Sequence, residues 1–184
     1  LPWESGQQHK EDMQLADHAA TMIVLVRDRN GGRVRLDKHG EPAIDYVPGE
    51  QERKMLTLGM IEGVKVHLAA GATRVATLHN KRTEINVPEG GEVPADQLRA
   101  FAREIEEHGL EPNRVMLFSA HQMSTCRMAA DSRRGVVNND NAVFGVRGLY
   151  VADGSTFPAA TGVNPMLTIL AVAHRAAQAI KASL

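Results

Sequence analysis

Two polar residues of this sequence, His121 and Asn164, stand where their side chains could carry chemistry. His121 directly follows an apolar run over residues 115–120, and functional groups are often held where a rigid element gives way to a loop. A neutral imidazole can accept a hydroxyl proton near neutral pH. The same pattern fits a hydrogen-bonded histidine in a core, so the residue types alone leave both interpretations open.

Asn164 precedes Pro165 and an apolar, alanine-rich stretch that is typical of a helix. Asn is a strong N-cap residue and Pro suits the first helical position, so the sequence predicts a largely buried helix that begins at Pro165. The N-terminus of a buried helix offers free N–H groups and partial positive charge, which suit an anion or a group that becomes anionic. A capped core helix without a ligand is the alternative interpretation.

Other candidate motifs are weaker. The 8 histidines have no zinc-binding spacing and Cys126 is the one cysteine, so no metal site and no internal disulfide is predicted. The DGS sequence at residues 153–155 lacks the pattern of a hydrolase nucleophile. Residues 138–141 are rich in amides but lack the full calcium-loop pattern, and we interpret them as a turn.

Hydrophobic periodicity predicts the elements that position these residues. After a lead-in loop over residues 1–20, we expect an antiparallel meander of strands at 21–26, 33–37 and 43–47, the first of them buried. Helices are predicted over residues 50–70 and 94–108, ended by Gly71 and Gly109, with short strands at 74–78 and 83–87 between them. Further strands are predicted at 115–120 and 149–152, joined by a long loop over residues 129–148.

Composition narrows the classes of function. The 184 residues are 43% hydrophobic with a net charge of −1, which indicates a globular protein without a basic field for nucleic acid. No run is long and apolar enough to span a membrane, so membrane association is not indicated. The chain starts at Leu1 and shows no signal-peptide pattern. We therefore expect that it begins inside a larger gene product or that it has been trimmed. The single cysteine favours a reducing compartment, and we expect a cytoplasmic location.

Three segments together resemble the C-terminal region of the glucose–methanol–choline (GMC) oxidoreductase family. They are SAHQMSTCRM at residues 119–128, GVRGLYVADGS at 145–155 and GVNPM at 162–166. Their order and spacing match the family, and the first and third look most like its long-chain alcohol oxidase branch. The resemblance covers nearly the whole chain and is weakest over the first 20 residues.

The resemblance implies an α+β fold. Residues 1–130 would form a substrate-binding domain, in which an antiparallel sheet is flanked by helices. Residues 131–184 would return to a Rossmann-type FAD-binding domain and supply its last strand and helix. By the same resemblance, His121 and Asn164 match the two catalytic positions. Cofactor-binding positions of the family are matched by Asp153, Gly154, Asn164, Pro165 and Met166.

The function implied by the resemblance is FAD-dependent oxidation of a CH–OH group, with a small-molecule alcohol as substrate. A long-chain or apolar primary alcohol would become an aldehyde by hydride transfer to flavin. Two alternatives stay open: a non-catalytic binding or scaffold module of the same fold, and a dehydrogenase that passes electrons to a quinone or cytochrome.

The chain also departs from the family pattern. No Gly-x-Gly-x-x-Gly fingerprint precedes these segments, so the main FAD-binding segment is absent and we expect these residues to be inactive alone. The missing N-terminal FAD-binding segment is therefore an expected partner. Ser124 and Ala129 stand where the family commonly has glycine, which is expected to alter the loop after His121 without removing a catalytic group.

Overall fold

The computed structural model describes residues 1–88 and 91–184. In these ranges the helices and strands are α1 (Gly6–Gln14), β1 (Arg33–Leu36), β2 (Pro42–Asp45), α2 (Glu50–Ala69), β3 (Arg74–Ala76), β4 (Glu84–Asn86), α3 (Ala95–His108) and α4 (Met166–Ser183). The chain divides into two compact units: a first unit of Leu1–Val26 with Val47–Leu117, and a second unit of Arg27–Tyr46 with Phe118–Leu184. The domain boundary expected near residue 130 concerns a complete protein and stays a prediction.

The first unit contains an apolar core built by α2, α3 and the β3–β4 hairpin. The two strands are antiparallel, with Val75 opposite Ile85. Their side chains join one residue of α2 and two of α3 in a buried cluster: Val64, Val75, Ile85, Phe101 and Ile105. Burial of side chains of this size stabilises a fold by about 1.5–3 kcal/mol each. The predicted helices and short strands of this region are therefore confirmed.

Both helices of this core end at a glycine. Gly71, with φ of 88°, follows α2, and Gly109, with φ of 66°, follows α3. Left-handed backbone of this kind is open to glycine without strain, which lets the chain reverse direction. The predicted helix ends are confirmed.

The N-terminal segment differs from the predicted loop, because residues 6–14 form α1. The hydroxyl of Ser5 accepts a hydrogen bond from the Gln8 N–H and caps the helix. At its other end Asp12 accepts hydrogen bonds from Arg82 at 2.8 Å and from Arg74 at 3.0 Å. The bond from Arg82, with a smaller contribution from Arg74, outweighs partial burial and lowers the pKa of Asp12 to about 2. A short helix too polar to predict from periodicity is thus stabilised by the Ser5 cap and by the Asp12 carboxylate.

The expected three-stranded meander is wrong, because only β1 and β2 pair. Their turn contains Gly40 at φ of 83°, as predicted from its sequence. Residues 21–26 form no strand, and Ile23 is 80% exposed. The predicted strand at 115–120 is also wrong: Val115 makes one bridge to His79, and Phe118 is 77% exposed. An apolar run becomes a strand only where a neighbouring strand accepts its backbone hydrogen bonds.

Helix α4 packs through one face, so the prediction of a largely buried helix is wrong for this chain. Ala176 is fully buried, whereas Met166, Leu167 and Leu170 are 68%, 75% and 60% exposed. Residues 149–152 form a single bridge from Tyr150 to Ala142 where a strand was predicted, and the loop over residues 129–148 is confirmed. Within residues 1–88 and 91–184, no helix is both long and apolar enough to cross a membrane.

Candidate active site

His121 lies in an irregular segment of the second unit and its side chain is exposed. The next residue fixes the local turn, because the Gln122 side-chain amide donates to the Ser119 carbonyl at 2.6 Å. The imidazole therefore lies on a loop whose backbone is fixed by this hydrogen bond, and it is accessible to a small molecule. This exposure differs from a histidine buried in a core, which was the alternative interpretation.

Three backbone hydrogen bonds tie the loop after His121 to residues 154–156. The N–H groups of Ser124, Cys126 and Met128 donate to the carbonyls of Gly154, Ser155 and Thr156 at 3.4, 2.9 and 2.8 Å. We call this set the 124–128 ladder. Cys126 is a half-buried free thiol. The ladder joins two of the three segments that sequence analysis singled out.

Ser124 begins this ladder in a left-handed conformation, with φ of 72°. Non-glycine residues seldom adopt this region, since Cβ then crowds the backbone. A serine at this position was expected to alter the loop. Its physical effect is backbone strain at residue 124.

Gly154 also lies close to the helix that follows the third segment. It is buried, and a Cβ built on it would lie 3.6 Å from the Gln122 carbonyl and 3.4 Å from Cδ1 of Ile169 in the first turn of α4. The residue after His121 and the helix after Asn164 thus meet at one glycine. The structure brings together the neighbourhoods of both predicted catalytic residues.

Asp153 shapes the backbone at this junction. Its carboxylate accepts from the Ser155 N–H at 2.7 Å, and its carbonyl accepts from the buried Thr156 hydroxyl at 2.8 Å. These bonds wind residues 154–156 into one 3₁₀ turn. The Asp153 side chain is exposed, so it remains accessible beside Gly154.

The start of α4 differs from the predicted capped helix. Pro165 is buried and occupies the cap position, and no side chain caps the helix, so the prediction that Asn164 caps it is wrong. Pro165 has φ of −87° and ψ of 0°, already turned into the helix, which moves the cap one residue past Asn164. Among the described residues no protein group accepts from the N–H groups of Met166, Leu167 and Thr168. Asn164 is exposed, and its amide is available to a ligand.

The burial of one residue in this unit was not predicted from the sequence. Asn141, which was interpreted as part of a turn, is 0% exposed and has φ of 64°. Its side-chain amide donates to the Val151 carbonyl at 2.7 Å. The signal in the sequence was the amide pair Asn138 and Asn141 at the two ends of that turn.

Other features of the molecule lie apart from these residues. A groove of about 370 Å³ in the first unit is lined by α2 and the end of α3, and includes neither His121 nor Asn164. Open to solvent and lined by charged side chains of both signs, it offers no convergent chemistry. Among the described residues, no group of three His, Cys, Asp or Glu side chains could hold a metal ion.

Comparison with known proteins gives a consistent set of matches. A family model described as GMC oxidoreductase matches residues 28–173. A long-chain-alcohol oxidase of Arabidopsis thaliana is 30% identical over 177 residues, which is 94% of this chain and 23% of that enzyme. A cholesterol oxidase of Acinetobacter baumannii is 51% identical over 65 residues, 35% of this chain and 12% of that protein.

Solved structures show a similar fold. An FAD-dependent oxidoreductase from Chaetomium thermophilum aligns with a TM-score of 0.54 at 22% identity, over 86% of this chain and 26% of that one. This likeness concerns the fold: helices with small antiparallel sheets. The chain spans about a quarter of the length of the relatives that it matches.

Proposed function

The chain belongs to the GMC oxidoreductase family, and on that premise we propose that it contributes the proton-accepting side of the active site of an FAD-dependent alcohol oxidoreductase. The observation that carries the proposal is the junction at Gly154, where a Cβ would lie 3.6 Å from the Gln122 carbonyl and 3.4 Å from Cδ1 of Ile169. A base and a hydrogen-bond donor must approach one substrate from different segments, and this junction anchors both segments.

The roles follow from the chemistry of each side chain. His121 accepts the hydroxyl proton of the alcohol on an imidazole nitrogen, and the Asn164 amide donates a hydrogen bond to the same oxygen. FAD, when bound, supplies the two-electron oxidant that takes a hydride from the alcohol carbon. The alcohol thereby loses one proton to His121 and one hydride, and leaves as an aldehyde.

The residues at the start of α4 fit FAD. The free N–H groups of the first turn lie at the positive end of an 18-residue helix, where they favour an electron-rich ring. Met166 is 68% exposed and could lie against a flat aromatic group. We assign Asp153, Gly154, Asn164, Pro165 and Met166 to FAD contacts.

The substrate class rests on the relatives. Long-chain-alcohol oxidases match 94% of this chain, and the cholesterol oxidase matches 35% of it at a higher identity of 51%. Both names describe oxidation of apolar alcohols. We therefore propose a long-chain or otherwise apolar primary alcohol as substrate.

A longer protein completes the site in this proposal. Its support is the 23% share of the related oxidase that the chain spans, together with the absent Gly-x-Gly-x-x-Gly fingerprint. Residues 131–184 would then join a Rossmann-type FAD-binding domain, and the exposed face of α4 would be covered there. The domain boundary near residue 130 and the cytoplasmic location stay predictions.

The test is His121→Ala in the protein expressed from its complete reading frame. General-base catalysis contributes roughly 10²–10⁴-fold, so kcat should fall on that scale while the flavin absorbance stays. His39→Ala is the matched control, because His39 is an exposed histidine in the turn between β1 and β2. Near-normal turnover of the His121 variant with a long-chain primary alcohol would show that His121 is not the base.

The same assay separates the alternatives. A colourless wild-type protein without alcohol oxidation would indicate a scaffold module of the same fold. Turnover with an artificial electron acceptor but not with oxygen would indicate a quinone- or cytochrome-linked dehydrogenase.

A further inference from the structure

Asn141 is a buried polar residue that the proposed chemistry does not use. It is 0% exposed, and its side-chain carbonyl oxygen has no hydrogen-bond partner. Its backbone is left-handed at φ of 64°. Buried unpaired oxygens and left-handed backbone both destabilise a fold, and such costs persist where the surrounding structure depends on them.

The amide orientation follows from its contact with Val151. The Nδ2 group donates to the Val151 carbonyl at 2.7 Å, and a flipped amide would place two oxygens against each other. The Val151 N–H in turn donates to the Asn141 carbonyl at 3.0 Å. Both backbone polar groups of Val151 are thus bonded to this one residue.

Asn141 is itself held in a closed turn. The Asn138 side-chain oxygen accepts from the N–H groups of Asp140 at 2.9 Å and Ala142 at 3.0 Å. The Asn138 N–H donates to the Ala142 carbonyl at 2.9 Å. These hydrogen bonds fix the backbone of the turn over residues 138–142. The turn can therefore position the segment around Val151 that is bonded to it.

Val151 lies two residues before Asp153 and three before Gly154, whose carbonyl begins the 124–128 ladder. We propose that Asn141 is a positioning residue: through Val151 it fixes the 153–156 turn, and through the ladder it fixes the loop that carries His121. The inference rests on the proposed function for its catalytic meaning. Its structural part, the coupling from residue 141 to residues 124–128, is separate.

The test compares Asn141→Gly with wild type in the protein from its complete reading frame. Glycine accepts a positive φ, so the variant can keep the turn while it loses the buried side chain and its bond to Val151. Hydrogen exchange followed by mass spectrometry should show at least about tenfold faster exchange in peptides that cover residues 121–128 and 149–156, because lost bonds allow local opening. Peptides of the first unit should be unchanged.

The kinetic readout separates positioning from simple loss of stability. A small misplacement of a base lowers turnover, so kcat should fall by roughly 10–100-fold with KM little changed, measured well below the melting temperature. The isotope effect with a dideuterated primary alcohol should rise as the chemical step becomes slower. Asn113→Gly is the matched control, because Asn113 also has a positive φ, of 67°, but is exposed in the first unit.

The outcomes distinguish the two proposals. Wild-type exchange at residues 121–128 in the Asn141 variant would overturn the positioning role, whatever the activity. Faster exchange with an unchanged kcat would overturn it as well, since the loop would move without consequence for turnover. Faster exchange in a protein whose wild type oxidises no alcohol would support the coupling and overturn the proposed function alone.

Discussion

The first unit contains a cluster of apolar side chains from four regular elements, besides buried polar residues such as His79, whereas most buried residues of the second unit lie outside its helix and strands. Val64, Val75, Ile85, Phe101 and Ile105 form the core of the first unit. In the second unit, the polar residues Asn141 and Thr156 are buried, and so are the apolar residues Val137 and Phe157. The apolar cluster of the first unit is stabilised by close packing, whereas Asn141 and Thr156 of the second unit make hydrogen bonds that each fix one backbone geometry.

This difference explains where the candidate site lies. Loops held by specific bonds can present exposed groups such as His121 and Asn164, while a packed core cannot. In the proposed function, the second unit would be the part of the chain that carries the chemistry.

The largest effect is expected from Ile105→Ala. Ile105 is 1% exposed in the packed core of the first unit, so truncation leaves a cavity and should lower the free energy of unfolding by about 2–5 kcal/mol. Urea unfolding followed by circular dichroism measures the change. Val66→Ala, at a side chain 51% exposed on α2, should stay within about 0.5 kcal/mol of wild type. Equal losses in the two variants would mean that the first unit has no such core.

A smaller, pH-dependent effect is expected at His79, a buried polar residue within the first unit. Its Nδ1 pairs with the Thr77 hydroxyl at 2.6 Å and its Nε2 with the Gly109 carbonyl at 3.2 Å. Burial lowers the pKa of His79 from 6.5, and the nearby His108 lowers it further, while the Gly109 carbonyl and Glu104 oppose this. The folded state therefore resists protonation.

The sign of the stability change follows from this shift. The unfolded chain binds a proton near pH 6.5 and the folded chain binds it only at lower pH, so stability should be highest above pH 6.5 and fall as the pH drops towards the folded value. The urea midpoint at about pH 5.5 and about pH 7.5 checks this, since histidine titrates between them. His79→Gln should flatten the dependence, and His39→Gln, at an exposed turn, should leave it intact.

The smallest effect is expected from Ser124→Gly in the second unit. Relief of the left-handed strain offers about 1–2 kcal/mol, and the greater freedom of glycine in the unfolded chain removes about 0.5–1 kcal/mol of that. The net result should be a stabilisation of about 0.5–1 kcal/mol, seen as a higher urea midpoint. Ser132→Gly is the control, because Ser132 is not among the residues with positive φ and should gain nothing. A destabilised Ser124 variant would show that the serine side chain supports the loop.

The sequence predicted the two long helices of the first unit better than the strands, and the reason is physical. Residues 50–70 and 94–108 repeat their apolar side chains with the period of a helix, and local pattern is enough to define that structure. Residues 21–26 and 115–120 have an equally strong apolar pattern, yet a strand depends on neighbours that no local pattern reveals. Helix α1 was missed because its stability comes from Ser5 and Asp12, which are not part of a hydrophobic period.

The candidate site was predicted through motifs and not through local physics. The residue pattern left His121 open between a base and a core histidine, and the structure shows it exposed. Asn164 was expected as a helix cap, and instead it lies free before Pro165. The role of Asn141 was not predicted, because the bond between its side chain and Val151 spans 10 residues and produces no periodic pattern in the sequence.

The 124–128 ladder has a consequence for how this sequence can change in evolution. Its donors are every second residue of one segment and its acceptors are consecutive residues of another, so the pairing holds only at these lengths. One inserted or deleted residue between positions 124 and 128, or within 154–156, would shift every later pair. Related sequences should therefore vary in residue type along these two stretches while keeping their lengths, and should accept insertions in the loop over residues 129–134.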